Sequence, residues 1–210
     1  RLYLPVNSIL CTSKGEIMLD GIDLNAKNVL LVGCGGAAVI NFPGWLFAIN
    51  RLTTSVTLEA VLTGAAQKLV ATDAVTAVLG RPNYCDGDSF SLRGEVLHRY
   101  LAEWPDLIIV APISLNTLTK SALLISDTLV TSVLNMTQSP VHAALSFPEH
   151  LNGNPVVRDY NNRLTDRGWK FYTQRDAFAL ATGSIEKSGM IDFYSLLKLI
   201  SSSRIKNSES

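Results

Sequence analysis

A glycine-rich stretch between an apolar run and a helical pattern is the first place where this sequence could do chemistry. Gly33, Gly35 and Ala38 follow directly after the apolar run Val29–Val32. Such a turn lets backbone N–H groups approach a phosphate at the start of a helix. The spacing loosely fits the dinucleotide pattern G-x-G-x-x-G/A, in which an acid about 20 residues further on supports a nicotinamide cofactor. Glu59 has nearly that spacing but lies inside the next predicted strand, so the turn indicates either a phosphate-bearing ligand or only a tight connection.

Polar residues after two further strands could join this turn. Thr63 ends the second predicted strand, where its hydroxyl could bind a phosphate oxygen or cap the short helix that follows. Ser114, Asn116 and Thr117 follow the most apolar strand, and ligands of open α/β sheets lie at the carboxyl ends of strands. Asn116 or Thr117 could equally be a helix cap, so both interpretations stay open.

His98 is the candidate for proton transfer, because an imidazole titrates near neutral pH. It lies near the start of a predicted helix, beside an apolar face, where a lone histidine is also commonly structural. The 3 histidines and the 3 widely separated cysteines form no metal-binding or disulfide pattern. We therefore expect reduced thiols and no metal.

The elements that position these residues alternate between strands and helices. Strands are predicted at 29–32, 55–62, 75–79, 107–111, 140–147 and 170–173, and a loop at 81–92. Helices are predicted at 38–51 (interrupted by Pro43), 65–70, 95–104, 117–133, 155–167 and 193–202. This alternation predicts an α/β fold, Rossmann-like or flavodoxin-like, with a doubly wound, mostly parallel sheet and helices on both faces. We expect one domain at 28–202, an N-terminal extension of unknown role at 1–27, and a polar tail at 203–210 that frays.

The composition excludes several classes of protein. Of the 210 residues 47% are hydrophobic, and 18 Lys and Arg residues balance 18 Asp and Glu residues. Such a chain is not intrinsically disordered and has no basic surplus for nucleic acid or a membrane surface. No apolar run reaches the roughly 18 residues of a membrane span, and the N-terminal residues do not resemble a signal peptide. We expect a cytoplasmic protein with no nucleic-acid or membrane partner.

Three stretches between about Asn28 and Ile200 resemble one known family, the homo-oligomeric flavin-containing cysteine decarboxylases. The strand and turn at 29–38 resemble the family's flavin-phosphate turn. The stretch from His98 through Trp104 to Pro112 resembles the family's H-x-x-L-x-x-W-A-D segment. The stretch Pro-Ile-Ser-Leu-Asn-Thr at 112–117 matches the family's P-A-S-A-N-T motif, where flavin is held at a subunit contact. This last match, with His98 at the expected distance upstream, is the most specific.

The resemblance implies an FMN cofactor, with FAD possible, and places His98 on the family's catalytic histidine. It implies a set of residues that hold the flavin, namely Gly35, Gly36, Ala37, Thr63, Ala66, Pro112, Ser114, Asn116 and Thr117. The implied reaction is oxidation of a cysteine to a thioaldehyde, followed by loss of carbon dioxide. His98 would be the general base or the group that orients the thiol. Family members form trimers, often grouped into dodecamers, so we expect a homo-oligomer.

One segment departs from the family pattern. The family has P-x-M-N-x-x-M-W before an Asn-Pro pair, and alignment on Asn154 puts Pro148 where the substrate-carboxylate Asn is expected. Proline has neither an amide side chain nor an N–H. His150, Asn152 or a partner subunit could substitute for it. The resemblance thus implies a substrate site at Phe147, Pro148, His150 and Asn152, under a clamp that contains Thr182, Gly183 and Met190.

The resemblance favours a peptidyl-cysteine decarboxylase of lantibiotic and related peptide biosynthesis. Its substrate would be the C-terminal cysteine of a precursor peptide, its product an enethiol suited to ring closure, and its other partners peptide-tailoring enzymes. Phosphopantothenoylcysteine decarboxylase of coenzyme A biosynthesis is an alternative, although that enzyme uses a flap cysteine and no cysteine follows Cys85. Two more alternatives are a catalytically silent FMN-binding scaffold or regulatory subunit, which Pro148 favours, and a nicotinamide-linked Rossmann enzyme.

Overall fold

A six-stranded parallel sheet organises the chain. The computed structural model describes residues 22–53, 56–88, 95–173 and 189–208, and the short strand segments 10–11, 17–18, 91–92, 177–179 and 184–186. The sheet strands are β1 (Asn28–Gly33), β2 (Thr57–Leu62), β3 (Tyr84–Cys85), β4 (Leu107–Ile113), β5 (Val141–Leu145) and β6 (Lys170–Tyr172). Their order is β3-β2-β1-β4-β5-β6 and every pair is parallel, which confirms the predicted doubly wound α/β fold.

Helices cover both faces of the sheet. They are α1 (Phe42–Leu52), α2 (Thr72–Leu79), α3 (Leu97–Glu103), α4 (Leu115–Ala122), α5 (Leu129–Met136), α6 (Glu149–Asn152), α7 (Pro155–Asp166) and α8 (Phe193–Ser208). Side chains of α1, α2 and α8 pack on one face, and those of α3, α4, α5 and α7 pack on the other. Short 3₁₀ helices, Ala37–Asn41 and Ala66–Lys68, follow β1 and β2.

The central strand β1 shows why a strand between two layers of helices consists of apolar residues. Val29 and Leu31 face the layer of α1, whereas Leu30 and Val32 face the layer of α3, and all four side chains are fully buried. A strand covered on both faces is apolar throughout, so it shows no alternation with polar residues. This continuous apolar run is the signal from which the parallel sheet was predicted.

The prediction of a strand at 75–79 is wrong, because these residues form the second half of α2. Asp73 lies in the first turn of this helix, and Gly80 ends it with a left-handed φ of 70°. A short apolar run cannot by itself be assigned to a strand or to a buried helix. The loop predicted at 81–92 likewise contains the edge strand β3.

The single helix predicted at 117–133 is two helices, α4 and α5, joined by residues 123–128. Leu124 has a φ of 58°, in the left-handed region, and it ends the first helix without a glycine. Thr128 and Thr131 form a capping box that starts the second helix. The cap of α4 is Ser114, not Asn116 or Thr117 as predicted.

Residues just outside both predicted domain boundaries are part of the folded structure. Ile22 and Leu24, within the predicted extension, are buried against the layer of α1 and α8. The last helix was predicted to end at Ser202, but α8 continues to Ser208, so most of the tail expected to fray is helical. None of the helices in the described residues is long and apolar enough to cross a membrane.

Candidate functional site

Backbone hydrogen bonds at the carboxyl edge of the sheet join the first residues after β1 and β2 to the last residues of the neighbouring strands. The Cys34 N–H donates to the Pro112 carbonyl at 3.1 Å, and the Thr63 N–H donates to the Gly33 carbonyl at 2.9 Å. From β1 the strand order runs outwards through β2 to β3, and from β4 it runs outwards the other way through β5 to β6. The order therefore reverses between β1 and β4, which is where open α/β sheets bind their ligands. The structure therefore brings together the three segments that the sequence selected separately.

Two glycines of the first turn face different surroundings. A Cβ atom on Gly35 would lie 2.4 Å from the Cβ of Ala65, so only glycine fits against the turn after β2. A Cβ atom on Gly36 would lie 3.4 Å from Pro112 Cγ and 3.7 Å from Ser146 Oγ, which is ordinary contact. Gly36 thus borders the space between the turns that follow β1, β4 and β5.

The first turn offers backbone donors to an anion. No side chain caps the 3₁₀ helix that starts at Ala37. Among the residues that the structure describes, none accepts a hydrogen bond from the N–H of Gly35 or Ala37. Unpaired N–H groups in a turn after a parallel strand can bind a phosphate. This turn therefore fits the phosphate of a nucleotide-like cofactor such as FMN.

Ser114 and Thr117 are held by each other. The Ser114 hydroxyl accepts from the Thr117 N–H at 3.3 Å, and the two hydroxyl oxygens lie 3.1 Å apart. The buried Cys34 thiol lies beside both residues; burial raises its pKa to about 11, although its hydrogen bonds to them oppose that shift. A thiol with this pKa stays protonated at neutral pH and is not a nucleophile.

Asn116, Thr63 and Ala66 occupy different positions around the cleft. Asn116 is exposed, and among the described residues its amide has no hydrogen-bond partner. Thr63 is buried, and its hydroxyl accepts from the Ala66 N–H at 3.2 Å, which is the capping role considered from the sequence. That hydroxyl keeps its own proton to donate.

His98 lies in the first turn of α3 and is partly exposed. β3 ends at the carboxyl edge of the sheet, and Asp106, just before β4, donates its N–H to the Asn28 carbonyl at the opposite edge. Because α3 leads from the first edge towards the second, its first turn lies on the carboxyl side. Leu97 and Leu101, which are buried in the layer under this helix, fix its orientation.

The segment after β5 lies at the same edge. Phe147 is buried, whereas Pro148 and His150 are exposed. Met190 is partly buried and packs against the layer of α1 and α8. The side chain of Asn152, and Thr182 and Gly183, lie outside the described residues. Their roles stay predictions.

Sequence reasoning missed Asp86 and Ser146. Asp86 Oδ2 accepts from the Gly64 N–H at 3.2 Å and its Oδ1 accepts from the Val130 N–H at 3.0 Å, so it joins the turn after β2 to the start of α5. Ser146 places its hydroxyl towards Gly36. Both contacts join segments far apart in the chain, and no local sequence signal marks them.

Glu59 does not lie where a nicotinamide enzyme would need it. It pairs with Leu30 in the middle of the strand ladder, is buried, and approaches Arg81 at 3.4 Å. The ribose-binding acid of a dinucleotide site lies at the carboxyl end of the second strand. In this chain that end carries Leu62 and Thr63, which disfavours the nicotinamide alternative.

Comparisons with known proteins give a family model and several curated relatives. The model of a family described as Flavoprotein matches residues 21–204. The coenzyme A biosynthesis bifunctional protein CoaBC of Bacillus subtilis (strain 168) is 27% identical over 176 residues, which are 84% of this chain and 43% of that protein. The chain spans less than half the length of the CoaBC relatives that it matches.

Solved structures share the fold. A PPC decarboxylase mutant complexed with pantothenoylaminoethenethiol has a TM-score of 0.70 and 22% identity, and the match covers 87% of this chain and 98% of that one. The FMN-dependent cysteine decarboxylase SpaF has a TM-score of 0.70 and 21% identity, with 87% and 99% covered. At these identities the likeness is one of fold.

Proposed function

Because this chain belongs to the flavoprotein family, we propose that it binds FMN at the carboxyl edge of the sheet and oxidatively decarboxylates a cysteine substrate. The observation that carries this proposal is the meeting of the glycine turn with the segment Pro112 to Thr117 at the reversal point of the strand order. That meeting gives unpaired N–H groups, an unpaired amide and an apolar wall at one place. A flavin mononucleotide needs each of these for its phosphate, its polar ring edge and its ring face.

The residues divide between the parts of the flavin. Gly35 and Ala37 have the N–H groups for the phosphate, with the hydroxyl of Thr63 beside them. Gly36 leaves room between Pro112 and Ser146. A further group forms the wall or reaches the flavin from α4, namely Ala66, Pro112, Ser114, Asn116 and Thr117. When bound, FMN would supply the two-electron oxidation that side chains cannot perform.

His98 is the residue that we assign to proton movement. Its imidazole would take the proton of the substrate thiol, or hold that thiol against the flavin, and its partly exposed position leaves it accessible. Cys34 is excluded from this role by its raised pKa and full burial. The other carboxyl-edge residues orient the substrate and exclude water.

The substrate that we favour is the C-terminal cysteine of a peptide. Three solved structures with this fold support that choice. SpaF, and TvaF of thioviridamide biosynthesis, are named cysteine decarboxylases, and CypD is named the cypemycin decarboxylase. No cysteine follows Cys85 in this sequence, which disfavours the phosphopantothenoylcysteine reaction. Pro148, which is exposed and has no amide, departs from the family pattern for either substrate. The match to CoaBC over 84% of this chain keeps that reaction as the second candidate.

The test has two stages. The visible absorption spectrum of the purified protein, with mass identification of what denaturation releases, should show FMN. The protein should then remove carbon dioxide and two hydrogens from a peptide ending in cysteine, and leave unchanged the same peptide ending in serine. A protein that stays colourless and takes up no added FMN contradicts the whole proposal. A yellow protein that turns over phosphopantothenoylcysteine only is the second candidate, and one that turns over neither substrate is a silent relative.

A further inference from the structure

A cavity lies at the amino edge of the sheet, opposite to the proposed flavin site. It has a volume of about 250 Å³, and three cationic side chains line it, Arg167, Lys170 and Arg204, together with His142, Gln138 and Ser139. None of the described residues that line it is acidic. β5 and β6 begin here, so the cavity is built from the first residues of two strands, the turn before β6 and the last helix.

The three cations differ in how far their charge is compensated. Arg167 donates to the Ser121 carbonyl at 2.9 Å and to the Asn135 carbonyl at 3.3 Å, so its guanidinium is committed to the ends of α4 and α5. Lys170 is partly exposed, and within the described residues no carboxylate lies within ion-pair distance of its ammonium. Its charge is therefore available to a ligand.

Arg204 has an unsatisfied donor. Its Nη2 donates to the Asn25 carbonyl at 2.7 Å, whereas its Nε is buried and has no acceptor. Asp106 and Asp23 lie near enough to act on it electrostatically, but Asp106 already accepts the N–H groups of Lys27 and Asn28. Arg204 lines the cavity, so an anion there would meet the positive charge of its guanidinium, although the buried Nε is not itself in contact with the open space.

His142 reports the electrostatic state of the cavity. Its Nδ1 lies 2.7 Å from the Tyr172 hydroxyl, and the two rings stack at a centroid distance of 5.7 Å. Burial, with the positive charges of Lys170 and Arg204, lowers the pKa of His142 to about 4. The imidazole is thus neutral at physiological pH, and it adds no positive charge to the cavity.

We propose that this cavity binds a small molecule through a phosphate or carboxylate group, held by the ammonium of Lys170 and the guanidinium of Arg204. Arg167 adds positive potential, and Gln138 and Ser139 offer further polar contacts. The volume holds an oxyanion with a few additional atoms. The site is independent of the proposed flavin, since the length of the sheet separates the two edges.

Inorganic phosphate and acetate are the probes. Each is titrated into the full chain saturated with FMN, so that the proposed flavin-phosphate turn is occupied, while the imidazole resonances of labelled histidines are followed. We expect saturable shifts of the His142 resonances and a rise of its pKa, with the resonances of His98 and His150 unmoved. Phosphate binding more tightly than acetate would identify a phosphate ligand, and the reverse order a carboxylate ligand. If the protein takes up no FMN, the same titration of the colourless protein still reports on His142.

Variants test which residues hold the anion. Lys170→Gln and Arg204→Gln should each weaken binding about tenfold, the effect of losing one charge-assisted hydrogen bond. Arg163→Gln is the matched control, because Arg163 is exposed on α7 and pairs with Asp159 away from the cavity. If Arg204→Gln fails to fold, Lys170→Gln carries the test alone. Unmoved His142 resonances, or equal weakening by Arg163→Gln, would overturn the proposal.

Discussion

Gly35 and Gly36 are adjacent, yet the structure gives them different reasons to be glycine. Alanine at Gly35 would overlap Ala65 at 2.4 Å, so Gly35→Ala should lower the free energy of unfolding by about 1–3 kcal/mol. Alanine at Gly36 fits sterically and suits its extended backbone, so Gly36→Ala should keep its stability and lose affinity for FMN. Urea unfolding of the flavin-free variants and titration with FMN measure the two effects. If Gly36→Ala and the unsubstituted protein bind FMN with equal affinity, the proposed location of the flavin at this turn is contradicted.

His98 carries the second prediction at this scale. If it moves the thiol proton, His98→Asn should retain FMN and lose decarboxylation by about 10²–10⁴-fold. Arg99→Gln is a control on the same helix, because Arg99 is exposed and pairs with Glu103 one turn away. Flavin content comes from the visible spectrum, and turnover from the mass of the peptide product. Turnover in His98→Asn equal to that of Arg99→Gln would remove His98 from the reaction.

At the scale of elements, Asp86 joins parts of the chain that no local pattern connects. Asp86→Ala removes two hydrogen bonds between a carboxylate and backbone N–H groups, so the free energy of unfolding should fall by about 2–4 kcal/mol. Flavin affinity should fall as well, because Gly64 precedes the turn against which Gly35 packs. Asp73→Ala is the control, since Asp73 is exposed in the first turn of α2 and should cost at most about 1 kcal/mol. Equal losses in both variants, measured by urea unfolding, would contradict this role.

Strands that bury a continuous run of apolar residues could be predicted from the sequence. Elements whose type or end depends on tertiary contacts could not. β4, and β1 after its first residue, are apolar because helices cover both faces, and that signal is local. Residues 75–79 have the same local appearance, but they pack as a helix. The break between α4 and α5 depends on Leu124 in a left-handed conformation, which its residue type does not suggest.

The candidate site follows the same division. The glycine turn and the segment 112–117 could be found because each follows its strand directly in the sequence. Asp86 and Ser146 could not, because their roles come from contacts with residues more than 20 positions away. Residue type alone does not show which hydroxyl caps a helix. The structure shows that Thr63 caps the short helix after β2 and that Ser114 caps α4.

For the molecule as a whole, His142 should make stability fall on acidification. Its pKa is lowered to about 4 in the folded protein from 6.5, so the unfolded chain binds more protons between these values. Stability from this group is complete above pH 6.5 and is lost as the pH falls towards 4, with a slope of up to about 1.4 kcal/mol per pH unit. Urea unfolding at several pH values should show a shallower slope for His142→Gln than for the unsubstituted protein. A slope unchanged in His142→Gln would contradict the prediction.

Assembly is the last expectation at this scale. The resemblance predicts trimers, with flavin at the contact between subunits. Ile40 and Phe47, in the two helices that follow the glycine turn, are 49% and 54% exposed, so this segment presents apolar surface near the proposed flavin site. Light scattering should therefore give a mass of three chains or a multiple of three. Phe47→Glu should give monomers and weaken FMN binding, because a carboxylate buried in an apolar contact is strongly unfavourable.

Leu199→Glu separates a specific contact from a general effect of charge. Leu199 is exposed to a similar extent, at 47%, but it lies on α8, away from the glycine turn. Leu199→Glu should leave both the mass of the assembly and the affinity for FMN unchanged. If the unsubstituted protein is monomeric and yellow, the flavin site is complete within one chain, and Asn116 then binds flavin from its own subunit. If both variants dissociate the assembly, the contact extends beyond the apolar surface at Ile40 and Phe47, and the link between that surface and the flavin is lost.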